Sequence, residues 1–136
     1  MASFEILPHM ADAAICAHGA DKKDLLIAAI QGLFEIASPQ KGEKAEQVKR
    51  PFKIIGSDFN EVFINILNEA ITNSDIYRET YQTINFKTFS DTEVRGEFVG
   101  QTVEGFEKAV KGATYHGLEI RQPDKNRWDA TIIFDV

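Results

Sequence analysis

The stretch DFNEVFINILNEAITNSDIY at residues 58–77, followed by YQTINFKTF at 81–89, decides the fold class, because the spacing of its apolar residues changes between the two. In the first, Phe59, Val62, Phe63, Ile66, Leu67, Ala70 and Ile71 recur every three or four residues, which lines one wide face of an α-helix. Asp58 and Glu61 frame its start. The Asp carboxylate is placed to accept from an early helical N–H while the Glu reaches back. In the second stretch, Tyr81, Thr83 and Asn85 alternate with Ile84, Phe86 and Thr88, which is the period of a strand. Ser90-Asp91 then supplies turn chemistry before residues 92–98, so a hairpin is predicted.

The same pattern extends toward the N-terminus. Asp21 and Asp24 frame a second helix over about 22–36, with Leu26, Ile30, Leu33 and Phe34 at helical spacing. Before it, Ala13, Ile15 and Ala17 alternate with Ala14, Cys16 and His18, a half-buried strand, and a short strand is expected over 4–7. Between the helices, Ser38-Pro39 and KGEK at 41–44 read as a loop. Val48, Phe52, Ile54 and Ile55 then read as a strand in which Pro51, lacking an N–H, marks an edge or bulge. Toward the C-terminus, 111–121 and 127–136 read as strands joined by QPDKN. The prediction is an α+β fold, two helices packed on a largely antiparallel β-sheet, in a single domain over 1–136.

Composition narrows the function. With 136 residues, 43% of them hydrophobic, and ten Phe, the chain can build one core. A net charge of −6 argues against nucleic-acid binding through a general basic surface. The segment 41–53 carries five basic and two acidic residues and reads as a solvated loop and strand edge. Cys16 is the lone cysteine, so no intramolecular disulfide or thiolate-rich zinc site is expected. The N-terminal MASFEILPHM lacks a leader pattern, and the longest apolar run, 25–30, is short of a membrane span. A cytoplasmic protein with no membrane association is expected. Neither GxxxxGK[ST] nor GxGxxG occurs, so nucleotide hydrolysis is not expected.

The last strand carries the candidate chemistry. Trp128, Ala130, Ile132 and Phe134 fall on one face and Asp129, Thr131, Ile133 and Asp135 on the other. Asp135 thus points off the apolar layer beside Val136, whose α-carboxylate adds further anionic oxygen if the natural chain ends there. Hard divalent cations select such oxygens. By spacing alone, Asp12 reads as a turn cap and His9 as a residue bonding to backbone at a loop entrance. His116 is placed on a face with Thr114, Leu118 and Ile120 and reads as a packing residue. Cys16 and His18 share a face, yet a nucleophilic pair needs an orienting third group that the sequence does not identify.

Three segments together, PHMAD at 8–12, KGATYHGLEI at 111–120 and FDV at 134–136, resemble the archease family, and length and element order agree along essentially the whole chain. Met10 stands where the family has Thr, Ala13-Ala14-Ile15 follows Asp12 where D-I-G-I is usual, and Gly112 replaces Ala. The resemblance implies a metal-binding accessory protein, not an enzyme, that activates a tRNA-splicing RNA ligase. That ligase joins 2′,3′-cyclic phosphate or 3′-phosphate ends to 5′-hydroxyl ends. Archeases promote guanylylation of its active-site histidine and its multiple turnover, with GTP and manganese bound on the ligase. By motif, the functional residues carry over to Asp12 and Asp135 as metal ligands with the Val136 carboxylate, and to Lys111 in the activation role, with Lys108 a competing lysine. The implied cation is calcium, with magnesium or manganese as alternatives, and tRNA is met only through the ligase. Two other classes remain open: a stand-alone metal-dependent phosphoesterase and a chaperone-like module for an RNA-modifying enzyme.

Overall fold

Asp21 and Asp58 each accept a hydrogen bond, at 2.8 Å, from the backbone N–H three residues on, so both helices begin where the acidic pairs predict. Glu61 reaches back past the cap residue and accepts from the Ser57 N–H at 2.9 Å, a variant of the capping box. Both helices end alike: Ser38 (φ 53°) and Arg78 (φ 55°) adopt the left-handed conformation and return their N–H groups to Phe34 and Ser74. The computed structural model describes residues 2–7 and 13–136. In chain order the elements are β1 (Ser3–Leu7), β2 (Ala13–Gly19), α1 (Lys22–Ala37), β3 (Pro39–Gln40), β4 (Gln47–Ile55), α2 (Phe59–Tyr77), β5 (Glu79–Phe89), β6 (Glu93–Thr102), β7 (Gly105–Phe106), β8 (Gly112–Asp124) and β9 (Arg127–Asp135).

The α+β class is as predicted, and every strand pair is antiparallel. The strands divide into a four-stranded sheet in the order β1-β2-β9-β8, a three-stranded sheet in the order β4-β6-β5, and the short β3-β7 pair. α1 packs on β1 and β2 of the first sheet and on β5 of the second, while α2 meets β8 of the first and β4 and β5 of the second. That position explains why α1 buries Leu25, Ala28 and Ala29 as well as the Leu26, Ile30, Leu33 and Phe34 stripe. A helix touching two sheets needs two apolar faces, and Ala at 28 and 29 lets the backbone approach. One apolar cluster runs through both helices and both sheets. Neither helix is long and apolar enough to cross a membrane.

Among the described residues β4, which carries Pro51, pairs only with β6 and so forms an edge, in line with the missing N–H. The C-terminal hairpin departs from its predicted shape. β8 continues through Pro123-Asp124, leaving Lys125-Asn126 as the turn, with the Asn126 N–H donating to the Asp124 carboxylate at 2.9 Å. A larger irregularity interrupts β8 earlier. Thr114 pairs with Ile133, but the next paired residue, Glu119, meets Thr131, so residues 115–118 bulge out of the ladder with Gly117 at φ +71°. The bulge inserts an odd number of residues, which reverses the alternation. Thr114 therefore sits on the outward face with Ile133, whereas Ile120 pairs with inward-facing Ala130. The shared face predicted for Thr114, His116 and Ile120 does not exist, and His116 is exposed.

Candidate functional site

The parity read from the last strand holds: Ala130, Ile132 and Phe134 are buried, and Asp135 is exposed at the end of β9. β9 lies between β2 and β8, so one end of this sheet gathers three chain segments. Ala13, at the start of β2, stands opposite Phe134, which in turn stands opposite Ala113 on β8. Gly112 pairs with Asp135, and the Lys111 N–H donates to the Asp135 carbonyl at 2.8 Å. Lys111 and Asp135 are thus brought together through the backbone, and both are exposed. Val136 follows, half-buried. Asp12 and His9 lie outside the described residues; in the sequence Asp12 adjoins Ala13, as Asp135 adjoins Phe134.

A side chain on α2 fixes the start of β8. Asn68 accepts from the Ala113 N–H at 2.7 Å and donates to the Ala113 carbonyl at 3.2 Å, occupying the backbone groups that a further strand would otherwise take. This clamp, two residues from Lys111, was not visible in the sequence, where Asn68 is one more polar residue on an amphipathic helix. The competing lysine is elsewhere. The Lys108 N–H donates to the Ala37 carbonyl at 3.1 Å, and its side chain lines a cavity of about 360 Å³ near the ends of both helices, floored by Leu33, Phe34, Ile71 and Phe106.

Asp135 offers only carboxylate oxygens, chemistry suited to calcium, magnesium or manganese and not to a thiolate-loving metal. Among the described residues, no group of three or more His, Cys, Asp or Glu could hold a metal ion.

Two further polar clusters emerge. On the outward face of the first sheet, His18 Nδ1 lies 2.7 Å from Asp129, and Arg127 Nε donates to the same carboxylate at 3.0 Å. Burial raises the Asp129 pKa, but these two partners outweigh it and hold the carboxyl below the usual range. Asp129 is the third group that the Cys16 and His18 pair lacked in the sequence. The cysteine, however, accepts a long contact from Thr131 at 3.9 Å, and burial pushes its thiol pKa up, which disfavours the thiolate. The second cluster is internal. Buried Glu79 accepts Arg50 in a two-pronged pair at 3.1 and 2.6 Å and the Tyr81 hydroxyl at 2.7 Å. Burial and the Glu79 carboxylate push the Tyr81 phenol well up, so it remains a donor. This network ties β4 to β5 within the core.

Known proteins share this fold. The chain is 27% identical to an archease of Methanopyrus kandleri, over 98% of this chain and 99% of the relative. Its fold matches the solution structure of Methanobacterium thermoautotrophicum protein 1598 with a TM-score of 0.74 at 26% identity, covering 98% of this chain and 99% of that one. It also matches a Thermotoga maritima protein described as an archease and possible chaperone, with a TM-score of 0.65, covering 96% of this chain and 94% of that one; at 20% identity this likeness concerns the fold alone. The profile of the archease protein family matches residues 4–136, and this chain belongs to that family.

Proposed function

We propose that this protein is an accessory factor, without catalysis of its own, that activates a tRNA-splicing RNA ligase by presenting the sheet end at Lys111 and Asp135 to the ligase active site. The observation that carries the reading is the 2.8 Å bond from Lys111 to Asp135, which sets a cationic and an anionic side chain at one exposed strand end of an archease. In this reading Asp12 and Asp135 hold a divalent cation, calcium first and magnesium or manganese as alternatives. Such a cation would neutralise the clustered carboxylates and leave a positive centre facing the partner. Lys111 then meets a phosphate or a carboxylate of the ligase as a mobile point charge. The core beneath, from Phe134 to Ala13, keeps the strand ends in register.

The experiment is turnover of a cognate ligase with and without this protein, in the presence of GTP and manganese. Stimulation that survives both Asp135→Ala and Lys111→Ala would reject the reading. Metal-dependent hydrolysis of generic phosphodiesters by the purified chain would favour the phosphoesterase instead. A second reading is a module that binds an RNA-modifying enzyme and keeps it folded, in line with the words 'possible chaperone' used of the Thermotoga protein. That role predicts capture of the partner unaffected by chelator or by loss of Lys111, which a pull-down distinguishes.

A further inference from the structure

The outward face of the β4-β6-β5 sheet carries cations that the proposed ligase contact does not use. Phe52 and Val94 turn inward to the core, so Lys49 and Lys53 of β4 and Arg95 of β6 turn outward, and all three are exposed. Lys53 stands directly opposite Arg95 in the register. Lys87 sits where β5 slips register between Phe86 and Thr88, and with Lys53 and Arg95 it lines one shallow depression floored by Pro51 and Gly96. None of these four cations has a hydrogen bond or ion pair among the described residues. That is unexpected in a chain with 21 acidic and 15 basic residues, where pairing is easily arranged. Like charges directly across a ladder destabilise it, and an anion bound between them offsets that repulsion.

We infer that this face binds the phosphodiester backbone of single-stranded RNA through Lys53, Lys87 and Arg95, with Lys49 extending the track. Lys49 and Lys53 are four residues apart on one strand, about 13 Å, a span that suits a run of phosphates better than one isolated group. Glu97 and Glu93 share the face and leave it net positive, while the rest of the chain is acidic. The outward positions of β4 and β6 hold no Phe, Tyr or Trp for bases to stack on, so binding depends on charge and not on sequence. An acidic peptide adding as a strand along β4 is disfavoured because Pro51 interrupts the row of edge donors. The choice of RNA among phosphodiesters rests on the proposed role beside an RNA ligase. The test contains no ligase, so its failure is separable from failure of that role.

The full chain is titrated into a fluorescent poly-uridine oligonucleotide at several salt concentrations, beside poly-glutamate and vesicles of phosphatidylserine and phosphatidylcholine. The expected result is salt-sensitive binding to poly-uridine in preference to the other two. In the K53Q/K87Q/R95Q variant the affinity falls about tenfold or more, and the slope of log K against log salt flattens by about 2, as loss of three phosphate contacts requires. Folding of the variant is checked by its thermal melt. Amide shifts of the unmodified protein on adding poly-uridine give an independent reading and are expected along β4, β6 and the stretch of β5 around Lys87. Binding unchanged in the triple variant, shifts confined to other strands, no binding of the unmodified chain at low salt, or preference for poly-glutamate or vesicles would each overturn the inference.

Discussion

Lys111 donates its backbone N–H to the carbonyl of Asp135 at 2.8 Å, so the first residue before β8 and the last residue of β9 are held as neighbours whatever their side chains do. The consequence is separable behaviour. Asp135→Ala and Lys111→Ala remove exposed side chains without breaking the backbone bond, so each is expected to change the folding free energy by no more than about 0.5 kcal/mol, as at other surface sites, which a thermal melt checks. Calcium titration by calorimetry is expected to give binding to the unmodified protein and a marked loss of affinity in Asp135→Ala. Equal affinity in both would remove Asp135 from the cation site.

Asn68 is expected to position Lys111 without touching the partner. Asn68→Ala leaves the Ala113 N–H and carbonyl, both partly buried, without their clamp, a loss of about 1–3 kcal/mol. Its thermal midpoint should fall, and ligase stimulation should fall with it at temperatures where the protein is still folded. Asn68→Asp retains the acceptor for the Ala113 N–H and should recover part of both. A variant that loses stability but keeps full stimulation would confine Asn68 to a structural role.

Gly117 at φ +71° shapes the bulge that carries Tyr115 and His116. Gly117→Ala forces a Cβ into the left-handed region, about 1–2 kcal/mol, and to within 2.6 Å of the Ile133 side chain. Denaturant melts should show a loss of that order. No loss would mean that the bulge relaxes into a regular ladder, which amide exchange at 115–118 would reveal.

The Arg50, Glu79 and Tyr81 network predicts a larger effect. Glu79→Gln keeps an acceptor for Tyr81 but strips Arg50 of its counter-charge in the core. The expected loss is about 2 kcal/mol, below that of a fully enclosed pair because Arg50 is partly exposed. Chemical denaturation checks it, and a loss under a few tenths of a kcal/mol would show that water compensates Arg50.

Asp129 gives a pH signature. Its folded pKa lies below the unfolded value, so its stabilising contribution is present above about pH 4, the ordinary Asp pKa, and fades as pH falls through the lower folded value. Unmodified protein should therefore exceed Asp129→Asn in stability near neutrality, by about 1 kcal/mol or less for a partly exposed pair, with the gap closing in acid. A gap that widens in acid would contradict the sign.

The capping pairs Asp21 with Asp24 and Asp58 with Glu61, the period-two faces of β2 and β9, and the edge status of β4 at Pro51 were all legible because each is local chemistry. Division into two sheets was not, since β5 and β6 carry no mark that tells which strands they join. The bulge at 115–118 was missed because alternation was extended through Gly117, whose positive φ breaks the period of two. In the candidate site, the exposure of Asp135 followed from parity, but that Lys111 adjoins Asp135 while Lys108 lies near the helix ends is set by the strand register. The Asn68 clamp and the His18 and Asp129 contact join residues far apart in the chain, which no spacing rule reaches.

The central claim is that the strand ends at Lys111 and Asp135 act on a ligase. Its most direct test is multiple-turnover RNA ligation by a cognate ligase, with GTP and manganese, supplemented in turn with unmodified protein, Lys111→Ala, Asp135→Ala and Lys108→Ala. The account predicts stimulation by the unmodified chain and by Lys108→Ala, and loss of at least tenfold in the other two. Stimulation retained by both Lys111→Ala and Asp135→Ala, or lost only with Lys108→Ala, would contradict it.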